Sequence, residues 1–214
     1  MRLTIQKLLN TVRLYRSGIF LFMLNRLFHR FFRYQTIILY DVDLKDRATC
    51  SPRAGELSFR KIGGAGDRYF GELLHAFPGN DFDERIKEPS GEGYMAFYGE
   101  KIAGYAWITY KEFYMDELNY AYPLREDEFF IYDCFVSPEF RGRGIYPAML
   151  QAILRDYRVE GAYRRACIGV SSANRGSRRG VIKAGFREYS RITYRRWFGR
   201  EKWPRRSENG GGGD

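Results

Sequence analysis

Hydrophobic positions at the start of the chain recur at helical spacing. Ile5, Leu8 and Val12 follow this period, and Gly18 then interrupts it. Beyond the glycine, aromatic and aliphatic residues oppose a basic stripe formed by Arg26, Arg30 and Arg33. The apolar face comprises Phe20, Leu24, Leu27, Phe28 and Phe31. The pattern predicts a basic amphipathic helical segment over residues 1–34, and three partners for it stay open: a membrane interface, another protein or copy of the chain, and its own domain.

From residue 36 onward the pattern alternates between strands and helices. Strands are predicted at residues 36–42, 57–62, 93–98, 101–110, 129–136, 165–171 and 186–198. Helices are predicted after the N-cap residue Asp67, at 145–157 and at 175–184. Residues 111–127 are predicted to form an acidic, aromatic loop. We expect a mixed α/β domain over residues 35–203 and a disordered, glycine-rich tail over 204–214.

The amino-acid composition is typical of a globular protein with a well-packed core. The chain has 214 residues, of which 44% are hydrophobic, 29% charged and 17% aromatic, so it is long and apolar enough to form a well-packed domain. No apolar run approaches the roughly 20 residues that span a bilayer. Three separated cysteines and two histidines favour neither a disulfide scaffold nor a metal site, and they fit a reducing, cytoplasmic compartment.

Charge is distributed unevenly along the chain. Its net value is +10, but residues 1–40 hold seven basic and no acidic residues, and residues 174–206 hold twelve basic and two acidic ones. This pattern suggests two anionic contacts, such as a phosphate-bearing ligand and a membrane surface, although a solvated arginine face explains the second cluster equally well. No aromatic and basic RNA motif is present, so we expect no nucleic-acid partner.

A glycine-rich loop joins a predicted strand to a predicted helix. The sequence FVSPEFRGRGIY over residues 135–146 ends the strand near a proline and passes through two glycines directly into the helix. Glycines allow neighbouring backbone N–H groups to face one point, and a helix N-terminus adds partial positive charge. Arg141 and Arg143 flank that point. The stretch therefore predicts a pyrophosphate site.

The same stretch resembles the coenzyme A loop of the GNAT acetyltransferase superfamily, whose pattern is Arg/Gln-x-x-Gly-x-Gly/Ala. Arg141 and Gly144 match, whereas Tyr146 replaces the usual small last residue and predicts a shifted helix start or coenzyme pose. The family's downstream pattern is matched by Asn174, Ser177, Lys183, Gly185 and Phe186. The order of elements also agrees, and the resemblance covers residues 55–200 or so, leaving the N-terminal segment unexplained.

The resemblance implies a mostly antiparallel central sheet that splays at the coenzyme site and carries helices on both faces. It implies that acetyl-coenzyme A lies between the strands at 129–136 and 165–171, where the pantetheine arm pairs with the backbone of Phe135 and Val136. Asn174 would lie near the thiol end. The implied coenzyme-binding residues are Phe135, Val136, Arg141, Gly142, Arg143, Gly144, Ile145, Tyr146, Asn174, Ser177 and Lys183.

Few side chains in the sequence are candidates for the general acid and the general base of acyl transfer. The tyrosine that the family commonly places shortly before Lys-x-Gly-Phe is missing, since residues 180–182 read Gly-Val-Ile. Asp133 interrupts an apolar strand, which predicts either a general base or a hydrogen bond to a neighbouring loop. Glu128 is a second carboxylate, and Tyr132 becomes a proton donor if a β-bulge turns it toward the cleft. We assign Cys134 to packing, because no histidine lies nearby and direct transfer is the family habit.

These expectations define an acetyl-coenzyme A-dependent N-acetyltransferase that needs no metal and acts on a small primary amine, such as an amino sugar of a surface polysaccharide. Two alternatives stay open: a longer-chain N-acyltransferase with a membrane-associated acceptor, and a non-catalytic binding module on the same fold. We expect a cytoplasmic protein, with the inner face of the membrane contacted through residues 1–34. A homodimer is compatible with the sequence.

Overall fold

The structure is a computed structural model that describes residues 32–45, 56–64, 66–80, 82–87, 92–115, 120–197, 200–202 and 207–208. Residues 1–31 of the predicted N-terminal helix lie outside this range. The chain divides into two compact units, Thr36–Ile192 with Arg206–Asp214, and Met1–Gln35 with Thr193–Arg205. Within the described ranges, no helix has the length and apolarity needed to cross a membrane.

Eleven strands occur among the described residues. They are β1 Phe32–Asp43, β2 Leu57–Ile62, β3 Glu92–Tyr98, β4 Lys101–Thr109, β5 Phe113–Met115, β6 Tyr120–Tyr122, β7 Glu128–Val136, β8 Arg165–Ser171, β9 Arg187–Trp197, β10 Arg200–Lys202 and β11 Ser207–Glu208. β1 begins four residues before the predicted start, in a segment assigned to the helix, because the run from Tyr34 through Ile38 is rich in aromatic and β-branched residues. β5 and β6 form a hairpin where a loop was predicted.

Helices occupy four described segments, α1 Arg68–Ala76, α2 Phe82–Lys87, α3 Ile145–Glu160 and α4 Arg175–Lys183. The predicted N-cap is confirmed, since the Asp67 side chain accepts a hydrogen bond from the backbone N–H of Tyr69. Asn174 caps α4 in the same way. α2 was not predicted, because six residues are too few to show a helical repeat.

The larger unit is built on one sheet with strand order β9-β1-β8-β7-β4-β3-β2. Neighbours pair antiparallel from β2 to β7 and between β1 and β8, whereas β7 and β8 run parallel. The mostly antiparallel sheet of the predicted fold is therefore confirmed. β11 pairs with residues of β9, so two residues of the predicted disordered tail belong to the sheet.

Both faces of this sheet are covered by helices, because alternate residues of each strand point to opposite sides. One core contains Tyr94 and Ala96 of β3 together with Met149 and Ile153 of α3. The other core contains Met95 and Phe97 of the same strand together with side chains of α1 and α2, including Phe70, Leu73, Phe82 and Ile86. The predicted helices on both faces are confirmed.

The described part of the smaller unit is short. β10 pairs antiparallel with the end of β9, in register Arg200↔Trp197 to Lys202↔Arg195. The guanidinium of Arg195 lies 5.4 Å from the centre of the Tyr34 ring, which is a cation–π contact.

Candidate active site

A cleft of about 550 Å³ opens where β7 ends and α3 begins. Its walls come from the end of β7, the glycine-rich loop, the first turn of α3 and the side of α4 that faces Tyr146. The lining residues are Cys134, Phe135, Val136, Phe140, Arg141, Gly142, Gly144, Ile145, Tyr146, Pro147, Asn174, Gly176, Ser177 and Gly180. The structure thus brings together most of the coenzyme-binding residues predicted from the sequence.

The glycine-rich loop presents backbone donors to this cleft. Gly142 and Gly144 have φ values of 78° and 79°, a left-handed conformation that glycine adopts without a steric penalty. No hydrogen bond within the described part of the chain is made by the backbone N–H groups of residues 142–144. The first backbone bond of α3 runs from Ala148 N–H to Gly144 O at 3.2 Å, so the N–H groups of the preceding turn are also free of intrahelical partners. These donors fit a phosphate group.

The two loop arginines point in different directions. Arg141 lines the cleft, where its Nε donates to the Val136 carbonyl at 3.0 Å and its guanidinium lies 5.8 Å from the Phe135 ring centre. Arg143 instead lies over Tyr98, at 4.8 Å from the ring centre. Arg143 is therefore not among the lining residues, whereas the buried Ile145 is.

Strands β7 and β8 separate beside the cleft, as the resemblance implied. They pair in parallel from Glu128↔Arg165 to Ile131↔Ile168 and no further. The remainder of β8 pairs with β1 alone, up to Ser171↔Ile37. The β8-facing backbone of residues 134–136 is consequently open toward the cleft, where an extended ligand can add hydrogen bonds.

Tyr146 spans the inner part of the cleft. Its hydroxyl accepts a hydrogen bond from Ser177 Oγ at 3.1 Å, and it also interacts with the Cys134 thiol. Burial, reinforced by Cys134, raises the pKa of Tyr146, so its hydroxyl keeps its proton. Burial likewise raises the pKa of Cys134, which fits the packing role predicted for this thiol and leaves it a poor nucleophile.

Gly180 makes room for that tyrosine ring. A Cβ atom placed on Gly180 would lie 2.4 Å from Tyr146 Cδ1, well inside contact distance. The small residue on α4 and the large residue at the start of α3 are therefore complementary. Neither residue alone could have revealed this relationship, because it depends on the packing of two helices.

This complementarity predicts a sign reversal in stability. We expect Gly180→Ala alone to lower the free energy of unfolding by about 1–3 kcal/mol, because the ring of Tyr146 must move. In a Tyr146→Ala background the same change should raise it by up to about 1 kcal/mol, because alanine favours a helix over glycine. Urea denaturation of the four chains measures both effects. Equal effects in both backgrounds would contradict the predicted contact.

The residues predicted on α4 divide into two groups. Asn174 and Ser177 line the cleft, and the side-chain Oδ1 of Asn174 accepts from the backbone N–H of Ser177 at 3.0 Å. The side chain of Lys183 is exposed near the other end of α4 and is not among the lining residues. Its inclusion among the coenzyme-binding residues is therefore not supported by its position, since two helical turns separate it from Asn174.

A β-bulge turns Asp133 out of the strand. Tyr105 pairs with Phe135 and Trp107 with Tyr132, so β7 contains one more residue than β4 at this point. Asp133 has a φ of 43°, the one positive value among the described non-glycine residues. Its carboxylate forms an ion pair with the Arg85 guanidinium of α2. The predicted bulge is thus present, but neither Asp133 nor Tyr132 is among the residues that line the cleft. The ion-pair partner Arg85 lies 48 residues away in sequence and was not predicted.

Aromatic rings surround the bulge on the side of α1 and α2. Tyr105 stacks on Phe135 with ring centres 5.6 Å apart, and Phe77 meets both rings edge-on. Burial, reinforced by the charge of Asp133, raises the pKa of Tyr105 to about 12. Tyr132 packs against the same core, and the guanidinium carbon of Arg85 lies over its ring, 5.7 Å from the ring centre.

Glu128 lies away from the cleft, at the opposite end of β7. Its side chain is buried, accepts from Arg165 Nη1 at 2.7 Å and accepts from the backbone N–H of Arg125 at 3.2 Å. Eight residues of extended strand separate it from Val136, which is ~26 Å. The structure therefore corrects its candidacy as a catalytic carboxylate: Glu128 anchors Arg165, whose other partner is Asp41 at 2.5 Å.

We expect Glu128→Gln to destabilise the fold and to spare the chemistry. Removing one charge of this buried pair should lower the free energy of unfolding by about 2–4 kcal/mol, because Arg165 keeps only Asp41. The exposed neighbour Glu126 provides the control Glu126→Gln, which should change stability by less than about 0.5 kcal/mol. Urea denaturation measures both variants. A stable Glu128→Gln chain would show that the pair is not structural.

Known proteins resemble both the sequence and the fold. The sequence profile of the Acetyltransferase (GNAT) family matches residues 65–186, whereas no curated protein sequence matches the chain. A GCN5-related N-acetyltransferase from Sphaerobacter thermophilus superposes with a TM-score of 0.55 at 18% identity, covering 84% of this chain and 56% of that one. A conserved protein of unknown function from Staphylococcus epidermidis superposes with a TM-score of 0.52 at 12% identity, covering 80% of this chain and 64% of that one.

The two kinds of comparison support different statements. The chain spans about 56–64% of the length of these two solved structures, and at such identities the likeness concerns the fold alone. The sequence match covers more than half of the chain and includes the glycine-rich loop, the bulge and α4. The chain therefore belongs to the GNAT family of acetyltransferases.

Proposed function

We propose that this protein is an acetyl-coenzyme A-dependent N-acetyltransferase that transfers an acetyl group directly to a primary amine. The observation that carries the proposal is the cleft itself, in which loop N–H groups without a partner among the described residues lie beside a stretch of β7 that is unpaired on its β8 side. The first feature suits a pyrophosphate and the second suits an extended amide-bearing arm. Coenzyme A contains both groups in that order.

The chain's own residues would hold the coenzyme in three places. The N–H groups of residues 142–146 and the Arg141 guanidinium would bind the pyrophosphate. The open backbone of Phe135 and Val136 would pair with the arm, although the Val136 carbonyl already accepts from Arg141. Asn174 and Ser177 would contact the coenzyme near its thiol end.

The transfer step needs a base, an acid and a hydrogen-bond donor. Asp133 would take the proton of the attacking ammonium group, whose nitrogen then bonds to the thioester carbon as the C–S bond breaks. A backbone N–H at the bulge would donate a hydrogen bond to the thioester carbonyl oxygen and stabilise the negative charge that develops on it, since the extra residue lies outside the strand ladder.

Two tyrosines compete to protonate the departing thiolate. Tyr132 lies next to the bulge, but its ring packs against the α1 and α2 core, whereas the Tyr146 hydroxyl lines the cleft. We therefore prefer Tyr146 to Tyr132 as the acid. Turnover by Tyr146→Phe and Tyr132→Phe decides between them, since only the variant that removes the acid should slow the chemical step.

The proposed function is tested by binding and then by transfer. We expect acetyl-coenzyme A to raise the melting temperature of the full chain, and a panel of primary amines to accelerate release of free thiol. Stabilisation by a long-chain acyl-coenzyme A in preference to the acetyl form would identify a longer-chain acyltransferase. Stabilisation by neither form would leave a binding module on this fold and overturn the proposal.

We also propose that residues 1–34, almost all of which lie outside the described range, attach the protein to anionic membranes. The sequence supports this by its aromatic face and its stripe of three arginines, each contributing about 1 kcal/mol near an anionic bilayer. The full chain should co-sediment with phosphatidylserine vesicles at low salt and be released at high salt. Equal binding to neutral vesicles, or none to either, would contradict the attachment.

A further inference from the structure

We propose that the acceptor carries an anionic group, a carboxylate or a phosphate, close to its amine, and that Arg85 selects it. This inference rests on the proposed function and names the substrate class of the same site. It follows from the pairing of Arg85 with Asp133, the carboxylate that the bulge turns out of β7 directly beside the cleft residue Cys134.

The pair is built into the fold and is accessible to solutes. Asp133 is displaced from the strand by the bulge, and Arg85 reaches it from α2, where Phe82 and Ile86 anchor the helix in the core. The side chains of Arg85 and Asp133 are 29% and 34% exposed. Neither is buried in a network that would prevent a ligand from replacing one partner.

The guanidinium of Arg85 blocks the approach of an ammonium group to the Asp133 carboxylate. The lone pairs of this carboxylate already accept from the guanidinium, and an approaching ammonium group meets the positive charge of Arg85 at the same place. An acceptor with an additional anion removes this conflict. Arg85 exchanges Asp133 for the substrate anion, so the Asp133 carboxylate becomes free for the ammonium group without any change in net charge.

The exchange leads directly into acyl transfer. The ammonium group donates a proton to Asp133, and the neutral amine attacks the thioester carbon. A C–N bond forms, the C–S bond breaks, and the thiolate leaves with the electron pair and takes a proton from the Tyr146 hydroxyl to become coenzyme A thiol. The nitrogen loses its second proton as the amide forms, and that proton returns to Tyr146 through solvent. Asp133 releases its proton to solvent, and the products are an N-acetylated anion and free coenzyme A.

The Arg85–Asp133 pair adjoins the core that α1 and α2 cover. That core consists of apolar and aromatic side chains, and the partly exposed rings of Phe77 and Phe135 offer faces to the uncharged part of an acceptor. A polycationic amine would be attracted by the carboxylate of Asp133 but repelled by the guanidinium of Arg85. A zwitterionic acceptor gains two complementary charges.

The inference is tested with matched acceptors and the full chain. Phenylalanine is compared with phenylalaninamide, and phosphoethanolamine with ethanolamine, so the two arms distinguish a carboxylate from a phosphate. We expect kcat/KM for the anionic member of at least one pair to exceed that of its neutral partner by about 10- to 100-fold, the range of a charge-assisted contact. Arg85→Gln should reduce this ratio to about one, and Arg85→Lys should restore part of it.

Arg60→Gln is the matched control. Arg60 lies on β2, where its guanidinium packs on the Tyr69 ring at 4.7 Å, and it has no ion pair with Asp133. This variant should keep the full ratio. Circular dichroism checks that each variant is folded, and its affinity for acetyl-coenzyme A should equal that of the unaltered chain.

The outcomes separate the inference from the proposed function. Equal or faster transfer to the neutral amines, or a ratio that survives Arg85→Gln, would overturn the anionic acceptor while leaving the transferase intact. If no amine is acetylated, the melting temperature of the coenzyme A complex is measured with each compound. Stabilisation by the anionic members that depends on Arg85 supports the inference, and its absence overturns it. Failure to bind acetyl-coenzyme A at all would overturn the proposed function instead.

Discussion

Gly144→Asp is expected to abolish measurable binding of acetyl-coenzyme A, with a loss of affinity of about 100-fold or more. Gly144 lies at the start of α3 among the free loop N–H groups, so an added carboxylate competes with the pyrophosphate for those donors and repels its charge. Isothermal titration calorimetry on the folded variant measures the change. An unaltered affinity would show that the coenzyme does not bind this loop.

Two control variants separate charge from backbone strain. Gly144→Asn keeps the size of the new side chain without its charge, and it should lose less affinity than the aspartate. Gly161 ends the same helix with a φ of 70°, close to the 79° of Gly144, and lies outside the cleft. Gly161→Asp therefore lowers the free energy of unfolding by a similar amount, about 1 kcal/mol, through backbone strain. The variant chain should bind the coenzyme with unaltered affinity.

Asp133→Asn is expected to lower turnover by about 100- to 10,000-fold, the range of a lost general base, while leaving the affinity for acetyl-coenzyme A within about twofold. The amide keeps the size of the carboxylate but cannot accept the ammonium proton. Steady-state kinetics and titration of the coenzyme measure the two quantities separately. The exposed Glu139, beside the loop but not lining the cleft, gives the control Glu139→Gln.

The result for Asp133 also tests where the base resides. Near-normal turnover of Asp133→Asn at every pH would assign proton removal to a water chain, since Glu128 is buried in its own ion pair at the far end of β7. Reduced affinity for the coenzyme together with reduced turnover would instead show that the bulge has collapsed.

Local patterns in the sequence predicted much of this fold. The bounds of β2 and β8 agree with the predicted strands. β2 alternates apolar and polar residues up to Gly63, whereas β8 is a short apolar run between two arginines and a polar segment. The start of α3 at Ile145 is also correct, since two glycines leave few alternatives. By contrast, α2 and the β5–β6 hairpin are too short to show a period, and tertiary contacts fix them.

The candidate site was predicted less completely than the fold. The glycine-rich loop was identified because its donors come from consecutive residues. Arg85 was missed because only the packing of α2 against β7 brings it to Asp133. Lys183 was included because of its place in a motif, yet it lies near the far end of α4 and is not among the residues that line the cleft. Residues that are adjacent in sequence were therefore predicted better than residues that are adjacent in space.

The early end of β7–β8 pairing leaves a seam through the sheet. On one side β7 is bonded to β4, and on the other β8 is bonded to β1, while the pairs from Glu128↔Arg165 to Ile131↔Ile168 alone join the two ladders. Such a sheet can open locally on either side of the seam without complete unfolding. A bound arm that pairs with β7 would behave as a short inserted strand between the two ladders. Binding of a ligand in the cleft should therefore make the two sides of the sheet unfold more cooperatively.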